Sequence, residues 1–173
     1  MVRYHDEEWG RPCHDDTELF ERLTLEAFQA GLSWSTILHK REAFRIAFRG
    51  FDPTIVAAFG EVDRERLLAD AGIVRNRSKI EATIGNAAAW LATAREFGSV
   101  DAYLAMMVPG PPARLGREVR AGEIPARTPV SDALSVDLRR RGFRFVGSTI
   151  VYALMQSIGL VEDHLPDCFR FAG

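Results

Sequence analysis

Apolar residues recur along this chain at the three- and four-residue spacing of α-helices, and capping residues separate one apolar run from the next. Asp15 or Asp16 begins the first run, and Glu18 stands in the capping-box position relative to Asp15. The predicted helices cover residues 16–30, 34–48, 53–60, 63–71, 78–97, a short stretch after Ser99, 131–141 and 148–158. Asp52, Asp63 and Ser131 are the polar residues predicted to start three of them. No stretch alternates apolar and polar residues for long enough to predict a strand. The expected fold class is therefore all-α, a compact multi-helix arrangement.

One carboxylate interrupts the apolar stripe of the first predicted helix. Leu19, Leu23 and Ala30 share this stripe, and Glu26 falls within it. A carboxylate that faces a core is costly in free energy unless a cation or a hydrogen-bond donor meets it. Two interpretations stay open: a pocket that uses the acid, or a buried ion pair on a helix whose phase differs from the prediction.

The residues after this helix place an indole beside that carboxylate. Gly31 is a predicted C-terminal stop, Ser33 has the position of an N-cap, and Trp34 begins the next helix. One turn would thus bring Glu26 and Trp34 to the rim of the same cavity. An acid next to an aromatic face predicts a pocket for a small molecule or a nucleobase.

Residues 67–87 have the pattern of two helices joined by a short turn, with cations at the start of the second helix. Gly72 is predicted to adopt positive φ, while Ile73 and Val74 anchor the turn in the core. Backbone N–H groups of the turn would then face an anion, as in a helix-hairpin-helix unit that binds a DNA phosphate without reading sequence. Arg75 adds a cation beside them. A generic αα-hairpin remains the alternative, because Val74 stands where the motif usually has its second glycine.

The two ends of the chain carry candidate metal ligands. His164 and Cys168 form a His-x3-Cys pair, and His5 lies near the N-terminus. A zinc ion held by these three residues would join the termini. Three ligands leave a structural tetrahedral site incomplete, and Cys13 is a candidate for the fourth. Such a pair also arises by chance, so the spacing alone leaves both interpretations open.

The composition narrows the class of protein. The chain has 173 residues and a formal net charge of −2, which predicts one domain over residues 1–173 with a proline-rich loop at about 108–129. No apolar run is long enough for a transmembrane helix, and the first residues lack the apolar stretch of a secretory signal. We therefore expect a cytoplasmic protein with reduced cysteines and no membrane partner. The slightly negative charge is unusual for a protein that coats nucleic acid, but it is compatible with one basic face.

Five segments together resemble the 3-methyladenine DNA glycosylase I family, in the family's order and with its spacing. They are YHDEEWG at 4–10, LEAFQAGLSW at 25–34, AGIVRNRSKI at 71–80, RGFRFVG at 141–147 and EDHLPDC at 162–168. The resemblance implies an all-α helix-hairpin-helix glycosylase fold in which a zinc site joins the termini. It also implies base-excision repair by a protein expected to be a monomer, with removal of 3-methyladenine from alkylated double-stranded DNA to leave an abasic site.

The resemblance assigns roles residue by residue. Glu26, the predicted catalytic residue, matches the pocket carboxylate, and Trp34 matches the aromatic that stacks on the flipped base. Tyr4 matches the tyrosine before the first zinc-ligand histidine, and Trp9 resembles another pocket aromatic. Leu32 matches the residue that fills the gap left by the flipped nucleotide.

The resemblance also implies a ligand set. His5, His164 and Cys168 match three of the family's four zinc ligands. The fourth is a cysteine that the family carries upstream of the residue where this chain begins. Structural zinc is therefore expected to be weak or absent here and to tighten when that ligand is restored.

The expected mechanism is capture rather than strong protonation of the leaving base. A 3-methylated adenine in DNA is cationic, so its glycosidic bond is already weak. Aromatic faces attract a cationic purine more than neutral adenine, and Glu26 would offset its charge. Monofunctional hydrolysis is the favoured interpretation, with Lys79 as a charge at a helix start. Two rivals stay open: a glycosylase/lyase that uses Lys79, and a non-enzymatic DNA-binding module that uses only the hairpin.

Overall fold

A computed structural model describes residues 1–114 and 123–171, and these residues are mostly helical. The elements in chain order are α1 Val2–Glu7, α2 Asp16–Gln29, α3 Trp34–Ala47, a 3-10 turn Arg49–Phe51, α4 Pro53–Ala57, α5 Glu61–Ala69, α6 Arg77–Phe97, α7 Val100–Met107, β1 Ala113–Arg114, α8 Pro129–Arg140, α9 Ser148–Ser157 and β2 Val161–Glu162. The predicted all-α class is confirmed. Within the two described ranges, no helix is long and apolar enough to cross a membrane.

Helix α2 is the central element of the core. Every residue from Leu19 to Phe28 is buried, and helices α3, α6, α7 and α9 pack against α2. Its N-terminus has the predicted cap, because the Asp15 side chain accepts the N–H of Glu18 at 2.9 Å. The sequence predicted that a single apolar stripe of this helix is buried. Neighbouring elements instead surround the helix and bury its polar side chains as well.

Helices α2 and α9 pass each other in opposite directions. The Arg22 guanidinium donates to the carbonyl of Ser157 at the end of α9. One turn later in α2, Glu26 shares a cavity with Ala153, which lies one turn earlier in α9. The N-terminal segment docks at the same place, where the N–H of Gly10 donates to the Ser157 carbonyl at 3.2 Å. Three segments that are distant in sequence therefore meet along one side of the core.

Two helices begin earlier than the sequence predicts. Helix α5 begins at Glu61 because Asp63, the predicted cap, is the third helical residue and accepts the N–H of the true cap residue. Helix α8 begins at Pro129, with Thr128 as its cap, and Ser131 exchanges hydrogen bonds with Thr128. In both cases the polar residue chosen from the sequence is the third residue of the helix, and its side chain accepts the N–H of the true cap residue.

Some elements have no signal in the sequence. Helix α1 is only six residues long and carries Tyr4. Strands β1 and β2 pair in parallel, with Ala113 opposite Val161, and two residues are too few to form an alternating pattern. Of the proline-rich loop expected at about 108–129, residues 115–122 lie outside the described residues.

Candidate active site

A cavity of about 360 Å³ opens among α1, the end of α2, the start of α3 and the middle of α9. Its walls are formed by Met1, Tyr4, His5, Trp9, Glu26, Gln29, Trp34 and Ala153. The structure thus brings together all four predicted pocket residues. Gln29 is a wall residue that we missed, although it lies three positions after Glu26 on the same face of α2, a spacing that could have identified it. No sequence signal marks Met1 or Ala153 as pocket residues.

The Glu26 carboxylate lines this cavity without an ionic partner among the described residues. Glu26 is 6% exposed. The cation one turn before it, Arg22, pairs instead with Glu18 at 2.5 Å. Burial raises the pKa of Glu26 to about 8, against a smaller opposing effect of Arg22. The buried ion pair that the sequence left open is therefore not formed with any residue that the structure describes, and the acid remains available to a ligand.

Tyr4 and Trp34 line the cavity with their ring centroids 5.4 Å apart and their planes inclined by 55°. Ser33 holds Trp34 at the first position of α3, because the Ser33 side chain caps this helix by accepting a backbone N–H at 3.2 Å. Gly31, with φ at +82°, makes the predicted turn between α2 and α3. Burial and the nearby Glu26 raise the pKa of Tyr4 far above its ordinary value, so the phenol stays neutral.

An ion-pair network that the sequence did not reveal holds the N-terminal segment on α2 and α3. Arg41 donates to Glu8 and to Glu21, each at 2.5 Å. Arg45 supplies a second cation to Glu21 at 3.0 Å. Charge-assisted hydrogen bonds are the strong ones, and here Glu21 is buried and Arg41 is half-buried. Since Glu8 directly precedes Trp9, the network positions one wall of the cavity.

His5, His164 and Cys168 come together where the two ends of the chain meet. Their ligand atoms all lie within 4.8 Å of one another, and His5 Nε2 is 3.5 Å from Cys168 Sγ. Carboxylates hold Nδ1 of both imidazoles: Asp6 binds His5 at 2.8 Å, and Glu162 binds His164. His164 Nε2 is buried and has no hydrogen-bond partner among the described residues. A metal ion fits this donor set, because it would satisfy the orphaned nitrogen and the carboxylates already orient both rings.

This cluster shares a wall with the cavity. Trp9 stacks on His5 with centroids 6.1 Å apart and meets His164 edge-on at 4.7 Å. Cys13, the candidate for a fourth ligand, is not a member of the cluster. It is buried in the core, and burial raises the pKa of its thiol to about 11. The Cys13 candidate is therefore wrong.

The expected hairpin consists of the end of α5, a turn at residues 70–76 and the start of α6. Gly72 does not adopt positive φ, so that prediction is wrong. Glycine is required there for space, because an added Cβ would lie 2.9 Å from Asp70 Oδ1 and 3.0 Å from Ala43 Cβ. The Gly72 N–H donates inward to the Asp70 carboxylate at 2.7 Å. It therefore does not face an external anion as expected.

Other N–H groups of this turn have no partner among the described residues. Ile73 is buried and Val74 is half-buried against the core, as predicted, while Arg75 is exposed. The N–H groups of Val74 and Arg75 have no acceptor among the described residues. The N–H of Asn76 donates to the Val74 carbonyl, and the N–H groups of Arg77 and Ser78, which follow it, have no acceptor within the helix. Together these donors form a site suited to an oxyanion.

A model of methyladenine glycosylases matches residues 1–171. The chain belongs to the methyladenine glycosylase family. The family inferred from the five sequence segments is thereby confirmed.

Methyladenine glycosylases of known name resemble the chain over nearly its whole length. DNA-3-methyladenine glycosylase 1 of Escherichia coli (strain K12) is 48% identical over 172 residues, which cover 99% of this chain and 91% of that protein. DNA-3-methyladenine glycosylase of Haemophilus influenzae is 43% identical, with 96% and 90% covered. A solved variant of 3-methyladenine DNA glycosylase I in complex with 3-methyladenine has a TM-score of 0.92 and 38% identity, covering 97% of this chain and 90% of that chain. The described fold is thus that of the family's solved members.

Leu32, which the family resemblance places at the gap in the DNA, is 39% exposed on the turn between α2 and α3. Its N–H donates to the Gln29 carbonyl at 2.7 Å, and its carbonyl accepts from Gln29 Nε2 at 2.8 Å. An apolar side chain is therefore presented to solvent directly beside a residue of the cavity wall.

Lys79 lies in the first turn of α6, so it is a charge at a helix start as predicted, but it is buried. It is 6% exposed, and its Nζ donates to the carbonyls of Phe28 at 2.8 Å and Ala30 at 2.6 Å. These carbonyls end α2 and lack partners within that helix. Burial lowers the pKa of the Lys79 ammonium, but its hydrogen bonds to two carbonyls favour the protonated form and hold Nζ away from the cavity lining, which opposes a Schiff-base role.

Proposed function

We propose that this chain is a monofunctional DNA glycosylase that removes 3-methyladenine from alkylated double-stranded DNA and leaves an abasic site. The observation that carries the proposal is the unpartnered Glu26 carboxylate in an aromatic cavity of small-molecule size. Two relatives named as DNA-3-methyladenine glycosylases and a solved relative in complex with 3-methyladenine support it. The monomeric state and the cytoplasmic location stay predictions.

The mechanism is selective capture of a weakened base. Flipping a nucleotide out of the duplex costs a few kcal/mol, and less when the base is damaged. Stacking on Tyr4 and Trp34 contributes about 1–3 kcal/mol per base contact, and a cationic purine gains further attraction. Glu26, as carboxylate, then offsets the charge of the lesion. Water adds to the sugar carbon and loses one proton to solvent, while the base leaves with the electron pair of the glycosidic bond, so the cationic base departs neutral.

Hydrolysis without lyase chemistry is supported by Lys79, whose Nζ is held by two backbone carbonyls. The named relatives, which are glycosylases, support the same assignment. A module that only binds DNA would have no use for a buried acid in an aromatic cavity. Neither rival is favoured by a specific observation.

We propose that the hairpin binds a DNA phosphate through the N–H groups of Val74, Arg75 and the start of α6. These donors are main-chain groups, so they would position the duplex without reading its sequence. Leu32 would then occupy the space left by the flipped nucleotide. Its exposure beside the cavity supports this role.

Gly72→Ala is expected to weaken DNA binding more than Arg75→Ala does. The added Cβ would displace Asp70 and the turn. Arg75→Ala removes one exposed cation, so the slope of log affinity against log salt concentration should decrease by the amount expected for about one phosphate contact. Titration of a methylated duplex at several salt concentrations measures both effects, with melting curves to show that the variants are folded. Equal losses of affinity would contradict a hairpin that binds through its backbone.

The function is tested with duplex DNA that carries radioactive methyl groups. The wild-type chain is expected to release 3-methyladenine, identified by chromatography, and to create one abasic site for each base released. Trp34→Ala should slow the release by about tenfold or more, the scale of one lost stacking contact. Binding of the methylated duplex without release would favour the binding module. A covalent adduct trapped by borohydride would favour the lyase.

We propose that His5, His164 and Cys168 bind a structural zinc ion. The orphaned Nε2 of His164 and the two oriented imidazoles support the site. When bound, the metal would join the two ends of the chain and add no chemistry to base removal. Because α1 carries both His5 and Tyr4, a metal ion bound to His5 would also hold Tyr4 at the cavity. With three protein donors the ion should be removed easily by a chelator.

Cys168→Ser is expected to abolish the stabilisation that added zinc gives, whereas Cys13→Ser should leave it unchanged. The reason is that Cys168 belongs to the cluster and Cys13 lies in the core. Melting temperatures with zinc and with chelator, together with metal analysis after dialysis, measure the difference. Loss of zinc from the Cys13→Ser variant would show that the ligand set is wrong.

A further inference from the structure

We infer that Lys79 is a positioning residue that ties the DNA-binding hairpin to the base pocket, an inference that rests on the proposed function. The backbone of Lys79 lies in the first turn of α6. Its N–H donates to the side chain of the cap residue Asn76 at 3.1 Å. The hairpin turn ends at that cap, so the backbone of Lys79 adjoins the N–H groups that are proposed to bind the phosphate.

The side chain of Lys79 reaches from α6 to the last turn of α2. Its Nζ donates to the carbonyls of Phe28 and Ala30, at 2.8 Å and 2.6 Å. A cation at this end of a helix is favourable, because the final carbonyls have no partners and carry partial negative charge. Lys79 is buried, so it holds two helices together and does not itself contact a phosphate.

The two carbonyls lie on either side of Gln29. The Gln29 side chain lines the cavity and donates to the Leu32 carbonyl at 2.8 Å. Glu26 lies two residues before Phe28 on the same helix. One ammonium group therefore holds the backbone between the pocket acid and the exposed Leu32. Any shift of α6 relative to α2 changes the distance between the phosphate site and the point where the base leaves the duplex.

Lys40 offers a matched comparison, since it is the only other lysine of the chain. Its Nζ also donates to two backbone carbonyls, those of Ala71 at 2.9 Å and Gly72 at 3.1 Å. These carbonyls belong to the hairpin turn and not to α2. The hydrogen bonds of Lys40 therefore hold the hairpin turn, whereas the equivalent bonds of Lys79 link α6 to α2.

The test compares Lys79→Met, Lys79→Arg and Lys40→Met in three assays. The assays are titration of the indole fluorescence with free 3-methyladenine, DNA affinity as a function of salt, and single-turnover release at saturating methylated duplex. Lys79→Met should bind the free base within about threefold of wild type but release base from DNA at least about tenfold more slowly, since small misplacements cost this much. Its salt dependence should be unchanged because no phosphate contact is lost. Lys79→Arg, which keeps the donors, should recover most of the rate, and Lys40→Met should weaken DNA affinity with a saturated rate near wild type.

Each other outcome overturns the inference. Parallel loss of free-base binding and release in Lys79→Met would make Lys79 a structural residue only. A smaller salt dependence would make it a phosphate contact, and an unchanged release rate would leave it without a role. Failure of the wild-type chain to release base would instead overturn the proposed function, and this inference with it.

Discussion

Replacing Glu26 by glutamine is expected to weaken capture of the cationic 3-methyladenine lesion in DNA, and its excision with it, by about ten- to a hundredfold. The amide keeps the size of the carboxyl group but cannot offset the positive charge of the lesion. A hydrogen bond to a charged group contributes about 1–3 kcal/mol, which is the loss expected here. Neutral adenine, which lacks the charge, should change much less. Titration with methylated duplex and single-turnover release on the same preparation measure both quantities.

The activity should also depend on pH through this residue. Because burial raises the pKa of Glu26 to about 8, the carboxyl is mostly protonated at pH 7 in the unliganded protein. A cationic base favours the carboxylate, so its capture releases a proton. The wild-type kcat/KM should therefore rise with pH and level off above about pH 8, and Glu26→Gln should lack this rise. A flat wild-type profile would contradict the assignment.

The same pKa predicts the pH dependence of stability. The folded state holds the Glu26 proton more tightly than the unfolded chain does. The contribution of Glu26 is thus most favourable below the unfolded pKa of about 4.5 and declines as the pH rises through about 8. Glu26→Gln removes this decline, so it should become increasingly more stable than wild type between these values, by at most about 5 kcal/mol. Strong destabilisation with normal activity per folded molecule would make Glu26 a structural residue.

Glu18→Gln is a control of opposite sign on the same helix. Burial acts to raise the pKa of Glu18, but hydrogen bonds from Arg22 lower it overall. The favourable contribution of Glu18 is therefore present above its unfolded pKa and is lost as the pH falls. This variant should be less stable than wild type at neutral pH and should approach wild type in acid.

Gly159→Ala is expected to destabilise the fold by about 3–5 kcal/mol, a large effect for one methyl group. Gly159 follows α9 with φ at +76°, which is strained for any residue with a Cβ. An added Cβ would also lie 2.9 Å from the backbone of both Arg11 and Pro12. The segment after Trp9 would have to leave its place beside α9, so excision should fall with stability. Thermal melting should show a decrease of about 10 °C or more.

Gly98→Ala separates the two causes. Gly98 has φ at +91°, yet nothing lies within 4 Å of an added Cβ. This variant should lose only about 1 kcal/mol of unfolding free energy, which is the cost of the backbone conformation for a residue with a Cβ. Equal destabilisation by the two substitutions would show that the close approach of α9 to the N-terminal segment contributes nothing.

The predictions from sequence that succeeded are local ones. Asp15, Ser33 and Asp52 cap helices as expected, since each side chain accepts an N–H only two or three residues away. Glu26 and Trp34 meet because one tight turn separates their helices. Where a pattern has two equivalent polar residues, as at Thr128 and Ser131, local chemistry does not identify the cap.

The sequence by itself determined the helical class, the turn that brings the acid to the indole, and the family, because these depend on neighbouring residues or on motifs in order. Only the tertiary structure decided that Glu26 does not pair with Arg22 or with another cation in the described part of the chain, since Arg22 is turned toward Glu18 and Ser157. It likewise decided that Lys79 is buried against α2, a contact across 51 residues of chain. Such pairings depend on which surfaces pack together in the folded chain. The same packing determines whether a charged group is exposed, paired with an opposite charge, or buried without a partner at a shifted pKa.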